Sequence, residues 1–333
     1  MSVDIVAMGY LFNERIVWPD GKEQGPVLGS TASYGSVALG RLEAKAGIVS
    51  VVGEETSRKL LSPILECGID LRGLEFRKGA SEVCNVLRYF PDGTKELKYL
   101  KISPAIQYED IPEDYLDAKV FHLCLVDYEV PLETIGKIRR RSPGALITAD
   151  LGGAGGAHSR EETRSAYLDT ENGRYQREYL RNIDIGKISL EDARKSFRRE
   201  FASPREAAEA YLEAGVGMVV VTLGEDGACI LEGEGREITI PAVTPYRGVA
   251  DTTGAGDTYI TAFVAAYVES RDAAWAAWYA SATSSLMIEE TGGVQIQRMP
   301  TDGQVRERLR TYFTEERPEE LEKYKASFRR DTR

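Results

Sequence analysis

The residues that build metal centres and covalent cross-links are scarce in this chain of 333 residues, which holds two histidines, His122 and His158, and four cysteines. Cys67, Cys84, Cys124 and Cys229 show no CxxC pair and no Cys/His spacing. That excludes a zinc-finger pattern and a disulfide framework and leaves reduced thiols as the expectation. His122 lies in the apolar run 120–126, where a packed, hydrogen-bonded imidazole is expected rather than a ligand or base. Basic residues are in deficit: 42 Lys and Arg against 53 Asp and Glu give a net charge of -11. A nucleic-acid binder needs a basic face for phosphate, so that class is not expected. No hydrophobic window reaches transmembrane length, and residues 1–10 lack a basic n-region. A cytoplasmic protein with no membrane partner is the expectation. GxxxxGK[ST], GxSxG and HExxH are all missing, and the glycine-rich loop 152–158 does not make GxGxxG. Walker-type nucleotide binding, dinucleotide binding, an acyl-transfer elbow and a zinc hydrolase are therefore unsupported.

What remains is an ordinary globular composition, 42% hydrophobic and 29% charged, long enough for one large or two smaller α/β units. Short apolar runs at 5–8, 48–52, 120–126, 146–149, 183–185 and 218–223 are too short for core helices. Helical patterns lie between them at 37–46, 60–65, 132–140 and 204–212. The alternation predicts βαβ units and a doubly wound, mainly parallel sheet flanked by helices. Two segments break the rhythm. Residues 83–101 alternate about a Pro91, Asp92, Gly93, Thr94 turn and read as a β-hairpin, and 11–30 is a Gly/Pro-rich strand excursion after the first core strand. They either form unrelated surface hairpins or meet as a small sheet beside the strand ends, where ligands bind in such folds. The charged end, from 314 to 333, carries Leu321, Tyr324 and Phe328 at helical spacing and reads as a solvated or docked terminal helix.

Asp251, Thr252, Thr253, Gly254, Ala255, Gly256 and Asp257 end a strand pattern and open a long apolar helix. Gly254 and Gly256 remove side chains that would block a close anion, so successive amides converge at a helix N-terminus. A carboxylate there repels phosphate. Its useful role is to accept a proton from an attacking hydroxyl while the amides neutralise developing charge. Any one of these residues alone would also read as a helix cap; the combination asks for backbone approach and charge together.

This run resembles the C-terminal signature of the ribokinase-like carbohydrate kinases, the phosphofructokinase-B type. The resemblance implies Asp257 as general base, an anion hole from Gly254, Ala255 and Gly256, and a monovalent cation, K⁺, near Asp251 and Thr253. The turn Thr222, Leu223, Gly224 is similar to the family's nucleotide-contacting turn, which implies that Thr222 and Gly224 touch ATP. Ser189 and Asp192 stand where the family has its Asn-x-x-Glu stretch, associated with Mg²⁺. Ser keeps an oxygen and Asp a charge, so water-mediated Mg²⁺ remains open, as does a simple cap by Ser189. Residues 29–53 resemble the N-terminal signature, with Ser30 for the second glycine and Tyr34 where Asn usually meets the sugar. Glu14, preceded by Asn13, stands for the family's substrate-clamping Asp.

The resemblance implies a ribokinase-like core over 1–10, 31–82 and 102–333 with a β-lid over 11–30 and 83–101 that closes on substrate. It also implies an ATP- and Mg²⁺-dependent kinase acting on a hydroxyl of a small sugar or cyclic polyol, with Asn13, Glu14, Gly29 and Tyr34 at the acceptor. A nucleoside acceptor is the alternative, because Tyr89, Phe90 and Tyr99 offer stacking surfaces in the lid. A non-catalytic ligand-binding protein is a third reading; it has no use for Asp257. No basic cluster lies near these motifs, which points to an unphosphorylated ring such as myo-inositol over fructose 6-phosphate. Edges of lid strands pair readily, so a homodimer is expected.

Overall fold

The computed structural model describes residues 2–91, 95–152 and 170–328. Thirteen strands and ten α-helices are described. The strands are β1 Ile5–Met8, β2 Phe12–Val17, β3 Glu23–Gly29, β4 Ala46–Gly53, β5 Asp70–Arg77, β6 Val83–Tyr89, β7 Lys95–Lys101, β8 Val120–Leu123, β9 Leu146–Asp150, β10 Ile185–Ser189, β11 Met218–Thr222, β12 Ala228–Glu232 and β13 Glu237–Ile240. The helices are α1 Thr31–Arg41, α2 Ser62–Glu66, α3 Leu132–Arg141, α4 Thr170–Leu180, α5 Leu190–Phe197, α6 Pro204–Glu213, α7 Ala255–Ser270, α8 Ala273–Met287, α9 Asp302–Glu316 and α10 Pro318–Lys323.

Nine strands form one sheet in the order β13-β12-β11-β10-β9-β8-β1-β4-β5. From β5 to β11 every pairing is parallel, and β12 and β13 add an antiparallel edge. Parallel strands need helical crossovers, which cover both faces and leave the strands apolar along their length. Alternate residues accordingly enter opposite cores: Ile5 and Ala7 join the layer containing α1, α7, α8 and α9, while Val6 and Met8 join that containing α3, α4 and α6. Strand order reverses about β1, with β4 on one side and β8 on the other, so the crevice beyond their carboxyl ends is the natural ligand position.

The two excursions meet there as a second sheet, β3-β2-β6-β7. Strands β2 and β6 pair in parallel although 65 residues separate Val17 from Val83 in register terms set by Phe12↔Val83 through Val17↔Arg88. The hairpin turn residues Asp92, Gly93 and Thr94 lie outside the described residues, as do His158, most of loop 152–158 and the last five positions.

Three boundaries differ from the sequence expectation. The helix expected at 37–46 is α1, Thr31–Arg41; Glu43 adopts φ 56° and Ala46 already begins β4. The strand expected at 183–185 is β10, Ile185–Ser189, whose Gly186 and Lys187 hide a fully buried strand behind a polar-looking sequence. Strand β5 was not expected, because its burial is only partial and its apolar residues are few. At the C-terminus Tyr324 and Phe328 pack on Trp275, with ring centroids 5.2 and 5.4 Å away, so this segment is docked.

His122 ties β8 and β9 to α7. Its Nδ1 lies 2.9 Å from Thr148 Oγ1, and its Nε2 lies 3.4 Å from Thr261 Oγ1. The Thr261 hydroxyl donates to the Asp257 carbonyl at 2.8 Å, so the ring donates at Nε2 and accepts at Nδ1, a neutral tautomer. Burial lowers its pKa from 6.5 to about 4. The unfolded chain binds a proton there between these values and the folded chain does not. Stability from this group is therefore complete above pH 6.5 and lost as pH falls toward 4. Thermal unfolding across that window is expected to have a shallower pH slope in His122→Asn than in the wild type; equal slopes would remove His122 from the account.

Candidate active site

The run Asp251 to Asp257 forms the entry to α7. Gly254 caps this helix with φ 82°, a conformation that L side chains rarely adopt. It also lies flat against Tyr34: a Cβ on Gly254 would sit 2.3 Å from Tyr34 Cε1. Tyr34, from α1, is buried, and burial raises its phenol pKa, so it serves as a neutral aromatic wall. The helix N-termini of α1 and α7 come together here, since Thr31, the first residue of α1, donates to Asp257 Oδ1 at 3.0 Å. Two helix dipoles thus present their positive ends to the same region.

Beneath the turn lies Lys187, a residue that sequence reasoning missed. A Cβ on Gly256 would approach its Nζ to 2.6 Å, so this glycine lets the turn settle on the ammonium. Lys187 is buried and pairs with Asp150 Oδ2 at 3.0 Å. Burial opposes its charge, but Asp150 and then Asp257 outweigh that and raise its pKa, so the ammonium stays charged. Asp150, at the end of β9, also accepts from the Gly152 amide at 2.9 Å. The available signal was weak: a lone Lys inside a strand reads as an exposed position.

At the neighbouring strand end Ser189 caps α5, accepting from the Asp192 amide at 3.0 Å, while its hydroxyl donates to Asp192 Oδ2 at 2.6 Å. Thr222 is paired with Ser189 in the sheet, and Gly224 follows in a turn at φ 63°. The residues expected at the nucleotide thus share the ends of β10 and β11. Among the described residues no group of three or more His, Cys, Asp or Glu is arranged to hold a metal ion. Asp192 and Asp150 approach each other across Gly152, whose Cβ would lie 3.2 Å from Asp150 Oδ1 and 3.3 Å from Asp192 Oδ2.

A cavity of about 500 Å³ opens between the small sheet and the loops before α7 and after α8. Glu14, Trp18 and Tyr89 line it from the small sheet, Tyr34 from α1, and Asp251, Thr253 and Gly293 from the loops. Glu14 is buried, accepts from Asn85 Nδ2 at 2.5 Å and faces Gly29. Trp18 and Tyr89 stack at 5.2 Å and 10°, and the Tyr89 hydroxyl lies 3.2 Å from Thr253 Oγ1, joining the small sheet to the Asp251 to Asp257 turn. Among the described residues, the charged side chains in the cavity wall are Glu14 and Asp251.

Not every expected residue converges. Asn13 points to the opposite face of β2 from Glu14, as strand alternation requires, and donates to Glu82 at 3.4 Å. It does not line the cavity, and neither does Gly29 or Asp257; the wall reaches Thr253. At the expected cation ligands Asp251 and Thr253, the Asp251 carbonyl is taken by a buried guanidinium. Arg298, 3% exposed, donates to the carbonyls of Asp251, Glu290 and Gly293 at 2.7, 3.0 and 3.2 Å. Its guanidinium also lies 3.4 Å from Asp251 Oδ2.

The profile of the pfkB family carbohydrate kinases matches residues 159–301. The cytidine kinase of Thermococcus kodakarensis is 25% identical over 282 residues, 81% of this chain and 90% of that protein. An Arabidopsis thaliana ribokinase is 32% identical over 263 residues, 74% of this chain and 63% of its own length. A crystal structure of a putative ribokinase II from E. coli with ATP and Mg²⁺ superposes with a TM-score of 0.72 at 20% identity, covering 93% of this chain and 99% of that one. The fold is ribokinase-like, residues 159–301 match the pfkB family carbohydrate kinase model, and the relatives named are kinases, phosphotransferases with hydroxyl acceptors. No described helix is long and apolar enough to cross a membrane.

The packing of Tyr34 on Gly254 predicts a coupling. Gly254→Ala is expected to destabilise the protein by about 2 kcal/mol or more, from positive φ and overlap together. In a Tyr34→Ala background the same substitution should cost less, with a coupling of about 1 kcal/mol in a double-mutant cycle of chemical denaturation. Equal costs in the two backgrounds would show that the ring does not press on the turn.

Proposed function

We propose that the protein is an ATP-dependent kinase that transfers the γ-phosphoryl group to a hydroxyl of an uncharged ring, a small sugar or cyclic polyol, with Asp257 as general base. The observation that carries this reading is the cavity next to the Asp251 to Asp257 turn, whose charged side chains, among the described residues, are carboxylates. A carboxylate accepts hydrogen bonds from neighbouring hydroxyls, and an aromatic wall packs on the CH face of a ring. Glu14, held by Asn85, supplies the first and Tyr34 the second. A phosphorylated sugar would need a basic partner, and among the described residues none lines this wall.

In the proposed reaction the acceptor oxygen attacks the γ-phosphorus, its proton passes to Asp257, and the bond from the γ-phosphorus to the bridging oxygen breaks to leave ADP. The amides of Gly254 and Gly256, at the N-terminus of α7, face the charge that spreads over the phosphoryl oxygens, whereas the Ala255 amide, expected beside them, donates to the Thr252 carbonyl at 3.1 Å and closes the turn instead. Lys187 supports that turn from below as a fixed positive charge. Thr31 orients the Asp257 carboxylate. Thr222 and Gly224 contact the nucleotide, and Asp192 with Asp150 would hold Mg²⁺ through water, where the metal supplies charge neutralisation on the phosphates. The segments 11–30 and 83–101 act as a lid over a core formed by 1–10, 31–82 and 102–333, with Tyr89 and Thr253 as its latch.

One observation favours a nucleoside instead: the parallel Trp18–Tyr89 stack in the cavity wall offers a flat surface to a base, while ribose hydroxyls would still meet Glu14. A coupled ADP-release assay over pentoses, hexoses, inositols, nucleosides and sugar phosphates separates these readings. An uncharged ring is expected to exceed fructose 6-phosphate in kcat/KM by about tenfold or more. Trp18→Ala should lower kcat/KM for a nucleoside about tenfold if the stack holds its base, and leave a free sugar largely unaffected. A clear preference for a sugar phosphate would overturn the acceptor assignment.

A further inference from the structure

The relationship of Arg298 to the expected cation site carries a consequence for the enzyme's ion requirement. Three peptide carbonyls from two chain segments surround one guanidinium: Asp251 in the approach to α7, and Glu290 and Gly293 in the loop after α8. Such an oxygen set, completed by the Asp251 carboxylate, suits a cation. Here each guanidinium nitrogen of Arg298 meets a different carbonyl, and Nη2 adds the carboxylate. The side chain is almost wholly buried, at 1% exposure. It leaves neither the oxygens nor the charge balance that a second cation would need, because two desolvated positive charges at one site repel strongly.

We infer that Arg298 is a covalently attached substitute for a monovalent cation, and that the kinase works without K⁺ or Na⁺. Arg298 acts as a positioning residue. Asp251 Oδ1 accepts from the Thr253 amide at 2.9 Å, so fixing Asp251 fixes the residue before the Gly254 cap and hence the amides of the anion hole. Gly293 and Asp251 both line the acceptor cavity, so the same guanidinium holds the two loops in register around it. A charged guanidinium forked to planar acceptors keeps a fixed geometry that a freely exchanging ion provides only while bound.

The inference rests on the kinase domain and is independent of which acceptor is used; its thermal arm needs no substrate at all. Wild-type protein with saturating Mg²⁺-ATP is compared in tetramethylammonium chloride, NaCl and KCl at equal ionic strength, reading kcat for the best acceptor of the panel and the melting temperature. Wild-type kcat is expected to vary by less than about twofold, with no K⁺-specific rise in melting temperature. Arg298→Ala is expected to lose kcat by about 30-fold or more while KM for the acceptor changes less, and to regain part of it with K⁺ or guanidinium chloride at low millimolar concentration. Both additives should raise the melting temperature of the variant and not that of the wild type. Arg298→Lys, which keeps a charge without the fork, should fall between the two. Activation of the wild type by K⁺ of about tenfold or more would overturn the inference, as would an Arg298→Ala protein with unchanged kcat. If Arg298→Ala does not fold, the wild-type cation series still decides the question.

Discussion

The candidate site depends on where one carboxylate, Asp257, is held: in the first turn of α7, against the start of α1 and above the buried Lys187 ammonium. Without compensating positive charge a carboxylate and an incoming phosphate repel. The fold answers with positive charge from several directions. Asp257 lies in the first turn of α7, at the positive end of that helix, and Thr31 brings the start of α1 to its Oδ1. Lys187 adds a full charge from below, kept ionised by Asp150 and by Asp257 itself.

That arrangement requires close backbone approach, which explains the glycines. Gly254 is pressed by Tyr34 and Gly256 by Lys187, so the turn is clamped between an aromatic ring and an ammonium. A third support, Arg298, ties the start of the turn to the loop after α8. Behind it, Thr261 and His122 connect the Asp257 backbone to β8 and β9. The Asp251 to Asp257 turn is thus attached to the parallel sheet, to the helical layer of α1 and α8 and, through Tyr89 and Thr253, to the small sheet. Preorganisation of this kind costs nothing at the moment of reaction.

The parallel core and the catalytic turn were legible in the sequence because each has a local signature: short buried runs for the strands, and acidic residues bracketing glycines for the turn. Lys187 and Arg298 were not legible. Each is a single basic residue in an unremarkable setting, and its meaning lies in oxygens supplied by residues far away in sequence, Asp150 for one and Asp251, Glu290 and Gly293 for the other. Asn13 shows the complementary limit. It adjoins Glu14 in sequence, but strand alternation turns it to the other face, where it meets Glu82. The small sheet was foreseeable as two hairpins, and the parallel pairing of β2 with β6 that joins them came only from three dimensions.

The central claim is that Asp257 is the base of a phosphoryl transfer and not a helix cap. The direct measurement is single-turnover transfer from Mg²⁺-ATP by Asp257→Asn, with nucleotide affinity measured calorimetrically on the same protein. Asn caps a helix nearly as well as Asp, so folding and ATP binding should be preserved while transfer falls by about 100-fold or more. Transfer at the wild-type rate with intact ATP binding would contradict the account and reduce Asp257 to a cap.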